Sequence, residues 1–399
     1  MQIAAAERGT KEPRGWRVQV ILGSLMALAS ISTDTYLPAM PTMAHELGAP
    51  RGATEWTVSG YLVGLSLGLL FWGPIGDRHG RRRPILLGLV LFAIGSAGCA
   101  LAGSIWSLIG WRLVQALGAS AGVGLSRAMV RDLYKGHRAA EVMSALITVL
   151  SIAPLIGPII GGQILAAIGW RAIFWALVGI GFVTFAAFRT LPETLLPSER
   201  VAAGIGKAIY GYCTLLRNWR LLAYLGATGF FYVGIFAYIA GGPFALITYH
   251  HLPPTLFGFV FGIGMVGVMT SSTINMRLVG HRSSKQLLKI GATMALLSGL
   301  GAIAAAITGF GGLLGLAMPL TFYIAANGFV VANALTGAMK LAPSSAGSVS
   351  ALAGAVQYGS GMFGSTLVGA LADGTPRPMA AVMAVAAALS FLCVFLIKD

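Results

Sequence analysis

Residues 18–40 read VQVILGSLMALASISTDTYLPAM. A helix needs about 20 mainly apolar residues to cross roughly 30 Å of hydrocarbon, so this stretch is long enough to span a membrane. It carries one ionisable side chain, Asp34, and runs into Pro38 and Pro41 without the small-residue site of a cleavable signal. Further apolar stretches follow at 56–76, 84–102, 106–128, 139–165 and 171–189, then at 221–246, 255–276, 286–307, 313–338, 346–371 and 378–397. Between the two series lies a polar segment, Thr190–Arg220, containing Pro192, Glu193, Pro197 and Arg200. The expected fold is an all-α polytopic membrane protein of twelve transmembrane helices in two six-helix halves. The halves are expected at residues 1–190 and 221–399, with a cytoplasmic linker at 191–220.

Composition agrees with a membrane protein and excludes a soluble one. Of the 399 residues, 56% are hydrophobic and only 10% charged, where a soluble domain carries about 25% charged residues. The net charge of +15 is a topology signal. Of the 27 basic residues, all but Arg51, Arg171, Arg377 and the intramembrane Arg112 fall on the side where the first span begins. That excess places both termini in the cytoplasm and removes nucleic acid as a partner. Cys99, Cys213 and Cys393 are scattered, and the six histidines sit in or beside polar segments. No disulfide framework, metal site or cofactor is expected, and no nucleotide-binding loop occurs. Gly118-Ala-Ser120-Ala-Gly122 has the spacing of a hydrolase nucleophile, but it falls within a span with no histidine at its depth. The chain is not read as an enzyme.

Two ionisable residues lie inside spans, Asp34 in the first and Arg112 in the fourth. Each costs about 2.5–3.5 kcal/mol at a helix centre, so such residues usually face a bundle interior or a water-filled cavity. Counting along each helix puts both in the outer half of the membrane at similar depth, able to interact directly or through water. The plain alternative is a snorkelling Asp34 and a structural Arg112. Gln115 shares the face of Arg112. In the second half, Asn327, Asn333 and Gln357 are uncharged polar groups at span depth, and Phe230, Phe231, Tyr232, Phe236 and Tyr238 cluster in the seventh span. An aromatic cavity with few polar anchors suits a lipophilic ligand.

The segment after the second span reads Gly73-Pro-Ile-Gly-Asp77-Arg78-His-Gly80-Arg81-Arg82. It resembles the loop signature of the major facilitator superfamily. Arg112-x-x-Gln115-x-x-Gly118 is similar to that superfamily's fourth-helix motif. Ala153-Pro154-x-x-Gly157-Pro158-x-x-Gly161-Gly162 is similar to its drug–proton antiporter motif. Asp34-Thr-Tyr36-Leu-Pro38-Ala and Val130-Arg131-Asp132-Leu-Tyr134 resemble the bicyclomycin/chloramphenicol-resistance (Bcr/CflA) subfamily of twelve-span exporters. The second half's loop, around Arg277, Gly280 and Arg282, lacks the Asp of the first, and the first helix offers Met26 where some related exporters have a second acid.

The resemblance implies a proton-coupled antiporter that exports small lipophilic drugs, chloramphenicol- or bicyclomycin-like, across a bacterial inner membrane and so confers multidrug resistance. The alternative on the same scaffold is a transporter of an endogenous metabolite, an amino acid or similar small solute. Asp34 and Arg112 are the expected proton-coupling pair. Asp34, Tyr36, Gln115, Tyr232, Phe236, Asn327 and Gln357 are the expected substrate site. Gly73, Asp77, Arg78, Gly80, Arg81, Arg131, Asp132, Pro154, Gly157, Pro158 and Gly161 are expected to act in the conformational cycle. The expected partners are a small lipophilic substrate, protons and membrane lipids, with the chain acting as a monomer.

Overall fold

The computed structural model describes residues 15–200 and 205–397. Arg8, Lys11, Arg14 and Lys398, which contribute to the charge asymmetry, lie outside the described residues. The first span is not one helix. α1 (Gly15–Asp34) stops at the carboxylate. The chain then passes through a 3₁₀ turn, Leu37–Ala39, into α2 (Met40–Glu46). Pro38 causes the interruption: it has no amide to donate and it disfavours helical backbone at the residue before it. The break leaves the last carbonyls of α1 without helical partners.

The rest of the first half is α3 (Glu55–His79), α4 (Arg82–Ala100), α5 (Ile105–Leu133), α6 (Gly136–Ala167) and α7 (Trp170–Phe188). A linker helix, α8 (Ile205–Leu215), touches both α3 and α14. The second half is α9 (Trp219–Pro243), α10 (Pro254–Leu278), α11 (Ser284–Thr308), α12 (Gly312–Ala325), α13 (Asn327–Leu341), α14 (Ala346–Ala370) and α15 (Arg377–Leu396). α9 ends in a π turn, Phe244–Tyr249, and α12 and α13 form one span broken at Ala326.

With these pairings the described residues make twelve crossings. Ten are long and apolar enough to be recognised on those grounds alone. The other two are α6, whose apolar part is Ile152–Ala167, and the glycine- and serine-rich α14. Those two helices make the main contacts between halves, α6 against α10 and α14 against α3. Small residues suit that position, because in lipid helices associate through close packing and interhelical hydrogen bonds.

The halves meet most closely at the end of the bundle away from the start of α1, called here the far end. A Cβ on Gly52 would overlap the Gly369 carbonyl, and one on Gly258 would stand 2.5 Å from the Ile159 nitrogen. Ser59 and Ser365 share a 2.7 Å hydroxyl hydrogen bond, and Thr366 donates to Ser59 at 3.0 Å.

Candidate transport site

The end of α1 builds the charged side of the site. Arg112, on α5, is wholly buried. Its Nη1 donates to the Ser32 carbonyl at 2.8 Å, a group freed by the helix break, and to Gln115 Oε1 at 2.6 Å. The guanidinium carbon lies 4.2 Å from the ring centroids of both Tyr36 and Tyr61. Such cation–π contacts are worth about 2 kcal/mol or more when desolvated. The cage is itself fastened. Gln115 donates to Ser96 Oγ at 2.8 Å, Tyr61 and Ser32 share a hydroxyl hydrogen bond of 2.7 Å, and Tyr36 and Thr57 share one of 3.0 Å. Among the described residues, Arg112 Nε and Nη2 have no hydrogen-bond partner.

Asp34 is also buried, and Arg112 is the cation whose charge reaches it. The two form no ion pair; among the described residues the Asp34 carboxylate takes part in no hydrogen bond. Arg112 is oriented by the Ser32 carbonyl and the two rings instead, so its influence on Asp34 acts through space. α6 closes the other side. A Cβ on Gly157 would stand 3.2 Å from Asp34 Cβ, and one on Gly161 would overlap the Thr35 carbonyl. α6 runs unbroken through Pro154 and Pro158. The glycines therefore make room for the Asp34–Thr35 backbone.

The second half supplies an aromatic wall. Tyr232, Phe236 and Tyr358 form a triangle with ring centroids 6.0, 6.2 and 6.3 Å apart. Tyr358 stands within electrostatic reach of both Asp34 and Arg127. Of the other aromatics expected there, Phe231 stacks on Tyr323 and Tyr238 on Phe261, both inside the second half, while Phe230 is exposed. Gln357 is half-buried beside Tyr358. Asn327 sits at the break between α12 and α13 with a buried, unpartnered Oδ1. Asn333 is bonded to Asn275 at 2.7 Å instead of lining a cavity.

Four residues were not singled out from the sequence. Tyr61 and Tyr358 are ordinary span aromatics until the fold pairs them with Arg112 and Tyr232. Arg127 falls at the end of the 106–128 stretch among the near-side basic residues, and lies on α5. Glu55 falls one residue before the second apolar stretch. It is 3% exposed with an unpartnered Oε2, and it lines a far-end cavity of about 520 Å³ together with His45, Arg51 and Thr248.

The loop motif lies at the opposite, near end. Arg81 joins Asp77 at 2.5 Å and Asp132 at 3.0 Å, tying α3 and α5 to the start of α4. Burial works against the Arg81 charge, but the two carboxylates outweigh it and hold its pKa above the usual value. Glu193, from the linker, accepts from the amides of Arg81 at 2.8 Å and Arg82 at 3.1 Å, capping α4. Burial raises its pKa, but these donors with those of Thr194 and Leu195 prevail and hold it below the usual carboxylate value. Gly80 has φ +86°, and the Glu193 carboxylate fills the space a side chain would need. Arg78 is exposed and Gly73 borders open space. Exposed Arg131 extends toward Gly347, at the start of α14.

Residues 22–366 match the family model of the Major Facilitator Superfamily. The chain belongs to the major facilitator superfamily. Relatives within it include the Bacillus subtilis protein named "Uncharacterized MFS-type transporter YdgK", 35% identical over 94% of both chains. The "Bicyclomycin resistance protein homolog" of Haemophilus influenzae is 29% identical over 95% of both. Among solved structures, the xylose transporter XylE from E. coli superposes with a TM-score of 0.75 at 16% identity, covering 96% of each chain. That last likeness is one of fold. The chain is thus a multi-pass membrane transporter of the superfamily, and its substrate is a small molecule.

Proposed function

We propose that the chain is a proton-coupled antiporter exporting small lipophilic drugs, chloramphenicol- or bicyclomycin-like, from a bacterial cytoplasm. In this reading it lies in the inner membrane with both termini in the cytoplasm, so the near end is cytoplasmic and the far end faces out. Residues 1–190 and 221–399 are the two rocking bodies, and 191–220 is the cytoplasmic linker between them. Rocking of such halves about a midplane site is the alternating-access scheme of repeat-built transporters.

The observation that carries the reading is Asp34. It is a buried carboxylate with no ion pair among the described residues, held at a helix break under the field of Arg112 and within electrostatic reach of Tyr358 in the Tyr232–Phe236–Tyr358 wall. Such a group can take a proton from one side and yield it to the other, while the rings receive a lipophilic molecule. Tyr36 and Gln115 hold Arg112 in place, and Gln357 is the polar anchor near the rings. Asn327, at a helix break of its own, is the outlying member of the proposed site. The bicyclomycin-resistance name of the Haemophilus relative supports a drug as cargo. The close far-end contacts support an inward-facing state, and the Asp77–Arg81–Asp132 cluster keeps the first half rigid while it rocks.

The test is counterflow in proteoliposomes. An outward chloramphenicol gradient should drive protons inward through the wild-type chain and not through Asp34→Asn. Proton movement driven instead by an amino acid, with none by chloramphenicol or bicyclomycin, would favour metabolite transport.

A further inference from the structure

Between α11 and α12 the surface opens into a groove of about 830 Å³, separate from the transport site. It runs from Arg282 along α11 to its apex at Gly301, with Met318, Pro319 and Phe322 of α12 opposite. At the apex, Gly301 lets the helices close to ordinary contact: a Cβ there would stand 3.4 Å from Pro319 Cγ. The α12–α13 span breaks at Ala326 just beyond the groove. The walls are apolar and face outward: Leu297 is 65%, Met318 58% and Phe322 51% exposed, with Met294 between them.

The mouth is cationic. Arg282, in the turn before α11, and Lys289, in its second turn, both line the groove, and none of the lining residues is acidic. The Lys289 ammonium lies 4.8 Å from the ring centroid of Phe395 on α15. From Lys289 to the apex at Gly301 is about 18 Å along the helix, close to the roughly 15 Å depth of one leaflet's hydrocarbon. A charged end and an apolar end separated by one leaflet match an acyl lipid with its headgroup at Arg282 and Lys289. A soluble anion would use only the mouth, and an apolar molecule only the apex.

We propose that this groove is a binding site for an anionic phospholipid. Its phosphate sits between Arg282 and Lys289, and one acyl chain lies along Leu297, Met318 and Phe322 with its end at Gly301. Basic pockets between membrane helices hold anionic headgroups in this way. Only the choice of leaflet, the cytoplasmic one, rests on the proposed orientation; headgroup selectivity is independent of transport.

The full-length chain is placed in nanodiscs of phosphatidylglycerol and phosphatidylcholine, and retained lipid is counted by native mass spectrometry. The wild type should enrich phosphatidylglycerol, each basic residue contributing roughly fivefold. Arg282→Gln with Lys289→Gln should lose the preference while unfolding at the wild-type temperature in phosphatidylcholine discs. Gly301→Leu, which blocks the apex but keeps the charges, should reduce retained lipid of both kinds. Equal phosphatidylglycerol enrichment in the double variant would overturn the proposal. So would displacement of the lipid by inorganic phosphate, or a wild-type dimer covering this face in phosphatidylcholine discs.

Discussion

The two halves solve the same packing problem with different chemistry. In the first, α5 is tied to the end of α1 by Arg112, which donates to the Ser32 carbonyl at 2.8 Å. In the second, α12 is tied to α9 by Tyr323, whose hydroxyl donates to the Phe231 carbonyl at 3.3 Å. At the near end, the first half joins α3 and α5 through the charged Asp77–Arg81–Asp132 cluster. The second joins α10 and α13 through a neutral amide pair, Asn275 and Asn333. Structure alone needs only a neutral hydrogen bond in either place. The charge in the first half is therefore the departure that calls for a function, and Asp34 lies beside it.

If that comparison is right, deleting the two ties will have unequal effects. Arg112→Ala removes two charge-assisted hydrogen bonds and two cation–π contacts, a loss of about 3 kcal/mol or more. It should abolish drug–proton exchange, and Arg112→Lys should restore only part because the planar fork is gone. Tyr323→Phe removes one neutral hydrogen bond, about 0.5–1.5 kcal/mol, and should leave exchange near wild type. Equal losses in proteoliposome transport would break the comparison.

Glycines in the two first-half motifs provide a second contrast. Gly161→Ala would drive a methyl group into the Thr35 carbonyl, whereas Gly73→Ala would meet nothing within 4 Å. Exchange should fall severely in the first and stay unchanged in the second at matched expression. A silent Gly161→Ala would separate the antiporter motif from Asp34.

A smaller effect is expected for Asp77→Asn. Arg81 keeps Asp132, and Asp77 is half exposed. Turnover should slow severalfold with drug affinity preserved up to the conformational bias. Asn275→Ala, at the corresponding place in the second half, should leave turnover unchanged. Binding and transport measured on one preparation decide this; an Asp77→Asn chain that keeps its thermal stability but loses binding would put the loop in the substrate path.

The mildest prediction concerns acid. The folded state holds the Glu193 pKa below its usual value, so its stabilising contribution is present above roughly pH 4.3 and fades as pH falls through the depressed folded value. Glu193→Gln should therefore lower the unfolding temperature at pH 7 and converge with wild type on acidification. Parallel curves across that range would remove Glu193 as the cap of α4.

How far the sequence shows this site depends on how unusual each residue is in its stretch. Asp34 and Arg112 stand out because ionisable groups are rare in apolar runs, and the loop motif stands out by its spacing. Their relation does not: α1 stops at Asp34 by a local effect of Pro38, but the meeting of the freed Ser32 carbonyl with Arg112 of α5 is tertiary. Glu55 is hidden because it sits at a span boundary, where acids are common. Tyr61 and Tyr358 are hidden because one aromatic among many carries no periodic signal. The break at Ala326 has no proline or glycine at the residue itself. Glu193 reads as linker, though its carboxylate belongs to the first turn of α4. Gly157 and Gly161 of α6 read as members of a motif, and the structure shows that they pack against Asp34 and Thr35.

The most direct measurement is proton flux with drug flux in proteoliposomes containing wild type or Asp34→Asn, with chloramphenicol and bicyclomycin as cargo and a pH-sensitive dye inside. The amide keeps the shape of the side chain but cannot titrate. The account predicts coupled fluxes in the wild type, and in Asp34→Asn a folded, inserted protein through which neither drug moves protons. Drug-driven proton flux at the wild-type rate through Asp34→Asn would contradict it.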